Sequence, residues 1–294
     1  MRRVLLVINP ISGKGKAKKA IFDILELFDR AGCEITVLPT RPGHQTAPAV
    51  AAAAGRFDLV AACGGDGTLG EVINGVLTGG KRVPIGYIPL GSTNDFAASL
   101  DIPGDYMEAA RRVVDGVPTP QDVGMLDEET YFCYIACTGA FSETSYTTSQ
   151  TLKNILGHFA YVLKGITSLA SIEKLELRAV LPEQTVEGEF LFCSLSNTAS
   201  VGGFIKVPEN RVVFDDGFFE LTLVRVPKDL IALTKLINDL LASNLDNKHI
   251  EQFHVRNCKV FCAQGSGWSV DGEDGGLHTC VELQVLQKAI DIIK

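Results

Sequence analysis

Over the first 125 residues, short apolar runs alternate with stretches of helical periodicity. Val4-Leu-Leu-Val-Ile8, Glu34–Leu38, Leu59–Cys63 and Ile85–Leu90 read as strands, one every 25 to 30 residues. Between them Lys16–Ala31, Ala47–Gly55 and Leu69–Leu77 carry apolar residues at helical spacing. Strands that are apolar at nearly every position are buried on both faces, as in a parallel sheet covered by helices. The alternation of strand and helix predicts a doubly wound α/β domain.

Beyond Asp122 the pattern changes. Lys174-Leu-Glu-Leu-Arg-Ala-Val-Leu181 alternates polar and apolar positions, as a strand with one wet face does. Phe190–Leu195, Phe219–Val226, Lys259–Ala263 and Val281–Leu286 are further strand candidates, and Glu187-Gly188 and Asp216-Gly217 read as turns between them. Thr151–Leu169 and Lys228–Ser243 read as helices. A β-rich second domain follows, with the boundary near Asp122–Glu128, giving domains 1–125 and 126–294. The last helix is expected to be able to pack back on the first domain.

The chain has 294 residues, enough for about two domains. With 35 acids against 27 bases the net charge is −8, which argues against a global grip on nucleic acid. Residues 1–20 nevertheless hold Arg2, Arg3, Lys14, Lys16, Lys18 and Lys19 and no acid, so a local anion site is compatible with the charge. The run Val4–Ile8 is too short for a signal-peptide core. Ile155–Ala170, the longest membrane candidate, is broken by Gly157, His158, Lys164 and Gly165, whereas a span needs about 20 mostly apolar residues. Eight scattered cysteines, among them the CxxxC pairs Cys133/Cys137 and Cys258/Cys262 with no His nearby, read as buried free thiols of a cytoplasmic protein.

Three of the four first-domain strands end in a glycine loop: Asn9-Pro-Ile-Ser-Gly-Lys-Gly-Lys16, Gly64-Gly-Asp-Gly-Thr68 and Gly91-Ser-Thr-Asn-Asp95. In an open parallel sheet the ligand crevice lies beyond the carboxyl ends of the strands. Glycines there admit a phosphate to the backbone, and helix N-termini offer free N–H groups. The plain alternatives are tight turns and N-caps, which Ser, Thr, Asn and Asp all favour. The first loop is neither a Walker A loop, since Ala17 follows Lys16, nor a Rossmann turn, since Gly13 and Gly15 lack a third glycine. Three such loops at one sheet edge point to a nucleotide.

These loops, with Glu71-Val-Ile-Asn74-Gly75, Asp95-Phe96, Asp122-Val-Gly124, Asp215-Asp-Gly-Phe218 and Trp268-Ser-Val-Asp271-Gly-Glu273, resemble the motifs of the diacylglycerol kinase catalytic-domain family. That family includes bacterial soluble lipid kinases and sphingosine kinases. The Gly-Gly-Asp-Gly-Thr element alone also resembles NAD kinases and phosphofructokinases. The resemblance implies an α/β domain followed by a β-sandwich domain, with the active site in the cleft between them. It implies an ATP site lined by Asn9, Pro10, Ile11, Ser12, Gly13, Thr40, Gly65, Asp66, Gly67, Thr68, Leu69, Gly70, Glu71 and Ser92. Many relatives carry Asn where this chain has Gly70, so one side-chain contact to the nucleotide is expected to be missing.

Phosphoryl transfer needs a magnesium-bound donor, charge stabilisation and a base for the acceptor hydroxyl. Asp66 and Asp95, in two of the loops, are placed to face one metal–nucleotide, the alternative being that each caps a helix. Asp271 and Glu273 match the family's proposed catalytic acids, although Asp271-Gly272 alone reads as a hairpin turn. A carboxylate there would accept the hydroxyl proton as the bond to phosphorus forms, Glu273 being favoured with Asp271 as its partner. The resemblance further implies a second Mg2+ on the Asp216 carboxylate and the Val213 and Phe218 carbonyls, linked to the active site through Asp122.

The reading is an ATP- and Mg2+-dependent lipid kinase, with diacylglycerol as the favoured acceptor and phosphatidic acid as product. It is expected in the cytoplasm, with peripheral contact at the inner face of the plasma membrane. The amphipathic stretch Thr151–Leu169 is either packed on its own core or an interfacial surface. Rival readings are a kinase of a soluble substrate such as NAD, a nucleotide-binding regulator without phosphotransfer, and a redox enzyme on the same scaffold. The regulator would have no use for Asp271 and Glu273, and the redox enzyme lacks its glycine turn. The oligomeric state is left open, a homodimer included.

Overall fold

The apolar run at the N-terminus forms β1 (Arg2–Ile8), buried from Val4 to Ile8. It is followed by α1 (Ser12–Arg30), β2 (Cys33–Pro39), α2 (Thr46–Ala53) with a 3₁₀ turn at Ala54–Arg56, β3 (Leu59–Gly64), α3 (Asp66–Thr78) and β4 (Ile85–Pro89). The computed structural model describes residues 1–139, 174–197, 200–201, 205–206 and 213–294, except 42, 44, 92, 93, 129 and 243. It divides into two compact units, Met1–Gln121 with Lys288–Lys294, and Asp122–Gln287.

In the first unit β1 pairs in parallel with β2 and β3, and β3 in parallel with β4. Every residue of β3 and β4 is buried, as continuous apolar strands require. In α3 the buried set Leu69, Val72, Ile73 and Val76 repeats at helical spacing. Gly75 lets α2 approach: a Cβ there would stand 2.6 Å from the Ala47 carbonyl oxygen and from Val50. Two helices follow, α4 (Asp95–Ser99) and α5 (Tyr106–Asp115). Sequence periodicity missed α5 because its inner face is mostly small, with Ala109, Ala110 and Val113 buried. Its N-cap was legible, since the Asp105 carboxylate accepts from the Met107 and Glu108 amides.

The second unit is built of strands. β5 (Pro118–Leu126) leads into β6 (Thr130–Phe132), β7 (Ile135–Gly139), β8 (Leu175–Val180), β9 (Thr185–Ser196), the short β10 (Ser200–Val201) and β11 (Ile205–Lys206), and β12 (Phe219–Arg225). Helix α6 (Leu230–Leu241) precedes β13 (Ile250–Val255), β14 (Asn257–Val270) and β15 (Glu273–Ile293). In this unit the antiparallel order is β13-β12-β9-β7-β14-β15, with β8 against both β9 and β14. One sheet face is packed with Trp268, Phe132, Phe190, Phe219, Leu195, Leu221 and Leu223. Phe132 meets Phe219 edge-on at 5.8 Å.

Three local expectations are revised. Glu187-Gly188 is not a turn: both lie inside β9, and the hairpin with β8 closes instead at Leu181–Gln184, where the Leu181 amide donates to the Gln184 carbonyl. Gly188 is required there by its φ of +145°, which other residues rarely adopt, and the Arg225 guanidinium lies against its open face, Nη1 2.7 Å from where a Cβ would stand. The last strands are far longer than the apolar runs that announced them, since β15 reaches Ile293. Its final residues, Lys288–Lys294, group with the first unit, where Ile292 pairs in parallel with Ile85 of β4. The helix α6 belongs to the second unit, so the segment that returns to the first is a strand.

Candidate active site

The three glycine loops meet beyond the carboxyl ends of β1, β3 and β4. The Leu90 and Gly91 amides both donate to the Gly64 carbonyl, at 2.7 and 3.2 Å, tying the third loop to the second. The Asn9 amide donates to the Cys63 carbonyl at 2.9 Å, tying the first loop to the second. Thr40, just past β2, joins the same edge through its amide, which donates to the Ile8 carbonyl at 2.8 Å.

Several glycines are required by this convergence itself. Gly13 has φ of +58°, and a Cβ on it would stand 2.3 Å from the Leu90 carbonyl oxygen. A Cβ on Gly91 would stand 2.6 Å from the Gly65 Cα. No side chain fits at either position, so the backbones themselves form the floor of the site. Around Gly70, by contrast, nothing lies within 4 Å of the added Cβ. The Asn9 side chain shapes the first loop, its Oδ1 accepting from the Ile11 amide at 3.1 Å, and the Ser12 amide donates to the Asn9 carbonyl.

Asp66 opens α3, where the positive end of the helix favours a carboxylate. Its Oδ1 accepts from the Phe96 amide at 3.3 Å and faces the Tyr87 hydroxyl at 3.2 Å. The same hydroxyl lies 3.3 Å from Asn94 Oδ1, which also accepts from the Gly91 amide. Tyr87 has one proton for two acceptors and so couples the second loop to the third. It went unnoticed in the sequence because it sits in an apolar strand, where a phenol reads as core; its hydroxyl was the available signal. Asn94, in the left-handed region with φ of 57°, caps α4, and Asp95 is that helix's first residue. Gly67, Thr68, Leu69, Gly70 and Glu71 fall in the first two turns of α3. Of these, Thr68 and Leu69 are buried, Thr68 against Gly64. Pro10 and Ile11 lie on the loop before α1, and Ile11 is exposed. Ser92 and the stretch Thr151–Leu169 lie outside the described residues.

In the second unit, Asp271 and Gly272 form a two-residue turn between β14 and β15, with Val270 paired to Glu273. Both have positive φ, 49° and 87°, as a tight hairpin turn demands. The Asp271 carboxylate accepts three backbone amides, from Cys133 at 2.6 Å, Tyr134 at 3.1 Å and Ile135 at 3.0 Å. The Tyr134 hydroxyl donates to the Asp271 carbonyl, and the Asp271 amide donates to the Ile135 carbonyl. Burial first, and then the Asp271 charge, push the neighbouring Cys137 thiol up to about 12. Glu273, two residues on, is exposed. Asp271 is thus an anchor with engaged oxygens, and Glu273 is the exposed carboxylate that follows the turn.

Asp122 is buried, and its Oδ2 accepts from the Gly217 amide at 2.6 Å while its own amide donates to the Phe214 carbonyl. It therefore pins the turn that carries Asp216. Asp216 Oδ1 accepts from the Phe218 amide, and its Oδ2 makes no hydrogen bond among the described residues. Among those residues no group of three or more His, Cys, Asp or Glu side chains could hold a metal. A single carboxylate oxygen suits Mg2+ only where carbonyls, waters or phosphates complete an octahedron. Asp216 on its turn and Asp66 at the glycine loops could each supply one such oxygen.

Residues 3–126 match the diacylglycerol kinase catalytic domain. The chain is 35% identical to the diacylglycerol kinase of Bacillus subtilis over 279 residues, covering 94% of this chain and 91% of that one. It is 34% identical to the Staphylococcus saprophyticus diacylglycerol kinase, covering 94% and 90% of the two chains. A solved structure described as a diacylglycerol kinase from Bacillus anthracis superposes with a TM-score of 0.76 at 22% identity, covering 99% and 96%. An ATP-bound NAD kinase from Archaeoglobus fulgidus superposes with a TM-score of 0.54 at 11% identity, covering 100% and 94%. These two structures share the fold, and the two relatives match at 34–35% identity along nearly their whole length. The chain belongs to the diacylglycerol kinase catalytic-domain family.

Proposed function

We propose that this protein transfers the γ-phosphate of ATP to the free hydroxyl of diacylglycerol, giving phosphatidic acid. The observation that carries this reading is the convergence of three glycine loops and Asp66 at one edge of a parallel sheet, a cradle suited to a polyphosphate. The relatives named diacylglycerol kinase support the choice of acceptor. Glu273 takes the hydroxyl proton as the lipid oxygen bonds to the γ-phosphorus, the bond from that phosphorus to the β–γ bridging oxygen breaks, and ADP leaves. Asp271 holds the hairpin that presents Glu273, and Asp66 stands at the phosphate cradle. Bound magnesium would neutralise the charge of the phosphates, with Asp66 as its protein contact there and Asp216 holding a second ion.

No helix among the described residues is long and apolar enough to cross a membrane. Diacylglycerol resides in bilayers, so the acceptor is taken during peripheral contact with a membrane surface.

The test is transfer of labelled γ-phosphate to diacylglycerol dispersed in mixed micelles, with Mg2+, by wild type, Asp66→Ala and Glu273→Gln. Label is expected in phosphatidic acid, falling at least about a hundredfold in each variant, as loss of a positioned acid–base group does. Transfer that needs no lipid and labels a water-soluble acceptor would overturn the reading.

A further inference from the structure

The strand order of the second unit ends at β13, whose register with β12 runs without a shift from Phe219↔Val255 to Val224↔Ile250. The Arg225 amide donates to the His249 carbonyl, so that pair is a hydrogen-bonded one. Such pairs alternate with non-bonded pairs along an antiparallel ladder. Glu251, Phe253 and Val255 therefore turn their backbone groups to β12, and Ile250, Gln252 and His254 turn theirs to the open side. The Ile250 amide is taken by the Asn247 carbonyl. The backbone groups of Gln252 and His254 meet no other strand among the described residues, and both residues are exposed.

Such an edge is a template for a further strand, and proteins blunt it with Lys, Pro, a bulge or a covering segment. Ile250-Glu-Gln-Phe-His-Val255 has no Lys, Arg or Pro, and its ladder has no bulge. Phe253 packs against the aromatic core but is only half-buried. A groove of about 570 Å3 opens beside it, lined by Val186, Glu187, Arg225, Glu251 and Gln252 among others, with room for a further large side chain.

The strand is also complementary to itself. Only residues whose backbone groups point outward exchange hydrogen bonds across a new antiparallel pair. Matching Gln252 of each copy with His254 of the other lets each pair exchange both bonds and places Phe253 on the two-fold axis, facing its own copy. The two Phe253 side chains then share the core face as a non-hydrogen-bonded pair, about 4.5–5.5 Å apart at Cβ. Glu251 falls opposite Val255, so like charges do not meet. A slip one way sets Ile250 against His254, and the Ile250 amide is already used. A slip the other way sets Gln252 against Arg256, whose carbonyl already accepts from the Val285 amide.

We propose that the protein forms a two-fold dimer through antiparallel pairing of β13 with β13 of a second copy, centred on Phe253. The pairing satisfies the outward backbone groups of Gln252 and His254 and extends the aromatic core across the axis. It is independent of the lipid-kinase reading and stands whatever the acceptor is.

The test is analytical sedimentation of the full chain at about 1 to 100 µM, as wild type, Gln252→Pro and Phe253→Lys. Wild type is expected at twice the mass of one chain, dissociating on dilution. Gln252→Pro removes an outward amide that only the second copy uses, and Phe253→Lys sets two like charges on the axis. Both variants are expected at the mass of one chain. A second readout fixes the register and needs neither variant. With the exposed Cys280 replaced by Ser, Phe253→Cys is expected to form an interchain disulfide on mild oxidation. Gln252→Cys, on the other face and too far from its own copy, is not. A wild type that keeps the mass of one chain throughout overturns the proposal, as does a dimer that both variants leave intact. A disulfide at Gln252→Cys in place of Phe253→Cys overturns it through the register.

Discussion

The Asp271 carboxylate lies 2.6 Å from the Cys133 amide nitrogen, 138 residues away in sequence, and the two following amides converge on it as well. A carboxylate that closes three backbone N–H groups fixes a turn. This separates two acids, Asp271 and Glu273, that stand two residues apart in the chain. Asp271→Asn puts an NH₂ group among three donors and should cost about 1–3 kcal/mol of stability, read as a lower melting temperature. Glu273→Gln should leave the melting temperature unchanged and lower kcat by about 10²–10⁴. The reverse pattern would make Asp271 the base.

The glycines of the site divide into those that packing demands and one that it does not. Gly13→Ala meets both a positive φ and the Leu90 carbonyl, and is expected to lose several kcal/mol and ATP binding together. Gly70→Ala enters open space inside α3 and should stabilise the protein by about 0.5–1 kcal/mol, since glycine weakens a helix interior. Gly70→Asn should in addition lower the KM for ATP if relatives use that side chain on the nucleotide. Urea unfolding and ATP titration of the three variants check this.

His249 is buried with its Nε2 unpartnered among the described residues, and burial, helped by Lys248, lowers its pKa below the ordinary histidine value. The folded state therefore keeps the ring neutral, while the unfolded chain takes up a proton below about pH 6.5. The stabilising contribution is complete above that pH and is lost as the pH falls below it. Wild type should lose more stability than His249→Gln between pH 7.5 and 5.5. Equal losses in parallel melts would refute it.

All eight cysteines are free, and Cys280 alone is exposed. Burial pushes the Cys258 and Cys262 thiols up to about 12 and about 11. Cys280 is also raised, by partial burial first and by Asp127 second. A thiol reagent should therefore modify one cysteine per native chain, slowly at pH 7 and faster with rising pH, and eight after denaturation. Mass spectrometry of the native adduct should find the label on Cys280.

The four parallel strands and the helices between them were legible in the sequence because full burial forces continuous apolar runs and 3.6-residue periodicity, both local properties. So were the three glycine loops, and Asp271-Gly272 as a hairpin turn. Elements with small inner faces, such as α5, and strands with little apolar signal, such as β7, left too weak a pattern to read. Glu187-Gly188 misled because the glycine serves an unusual backbone angle, φ of +145°, inside a strand rather than a turn. The tertiary structure alone decided which residues meet. It set Tyr87 between Asp66 and Asn94, brought the amides of residues 133–135 to Asp271, and placed Ser194 and Ser196 in register with Thr222 and Glu220. Such meetings depend on strand order and register across long stretches of chain. A sequence encodes its strands by local pattern, but pairing is fixed only when the whole sheet buries its faces together.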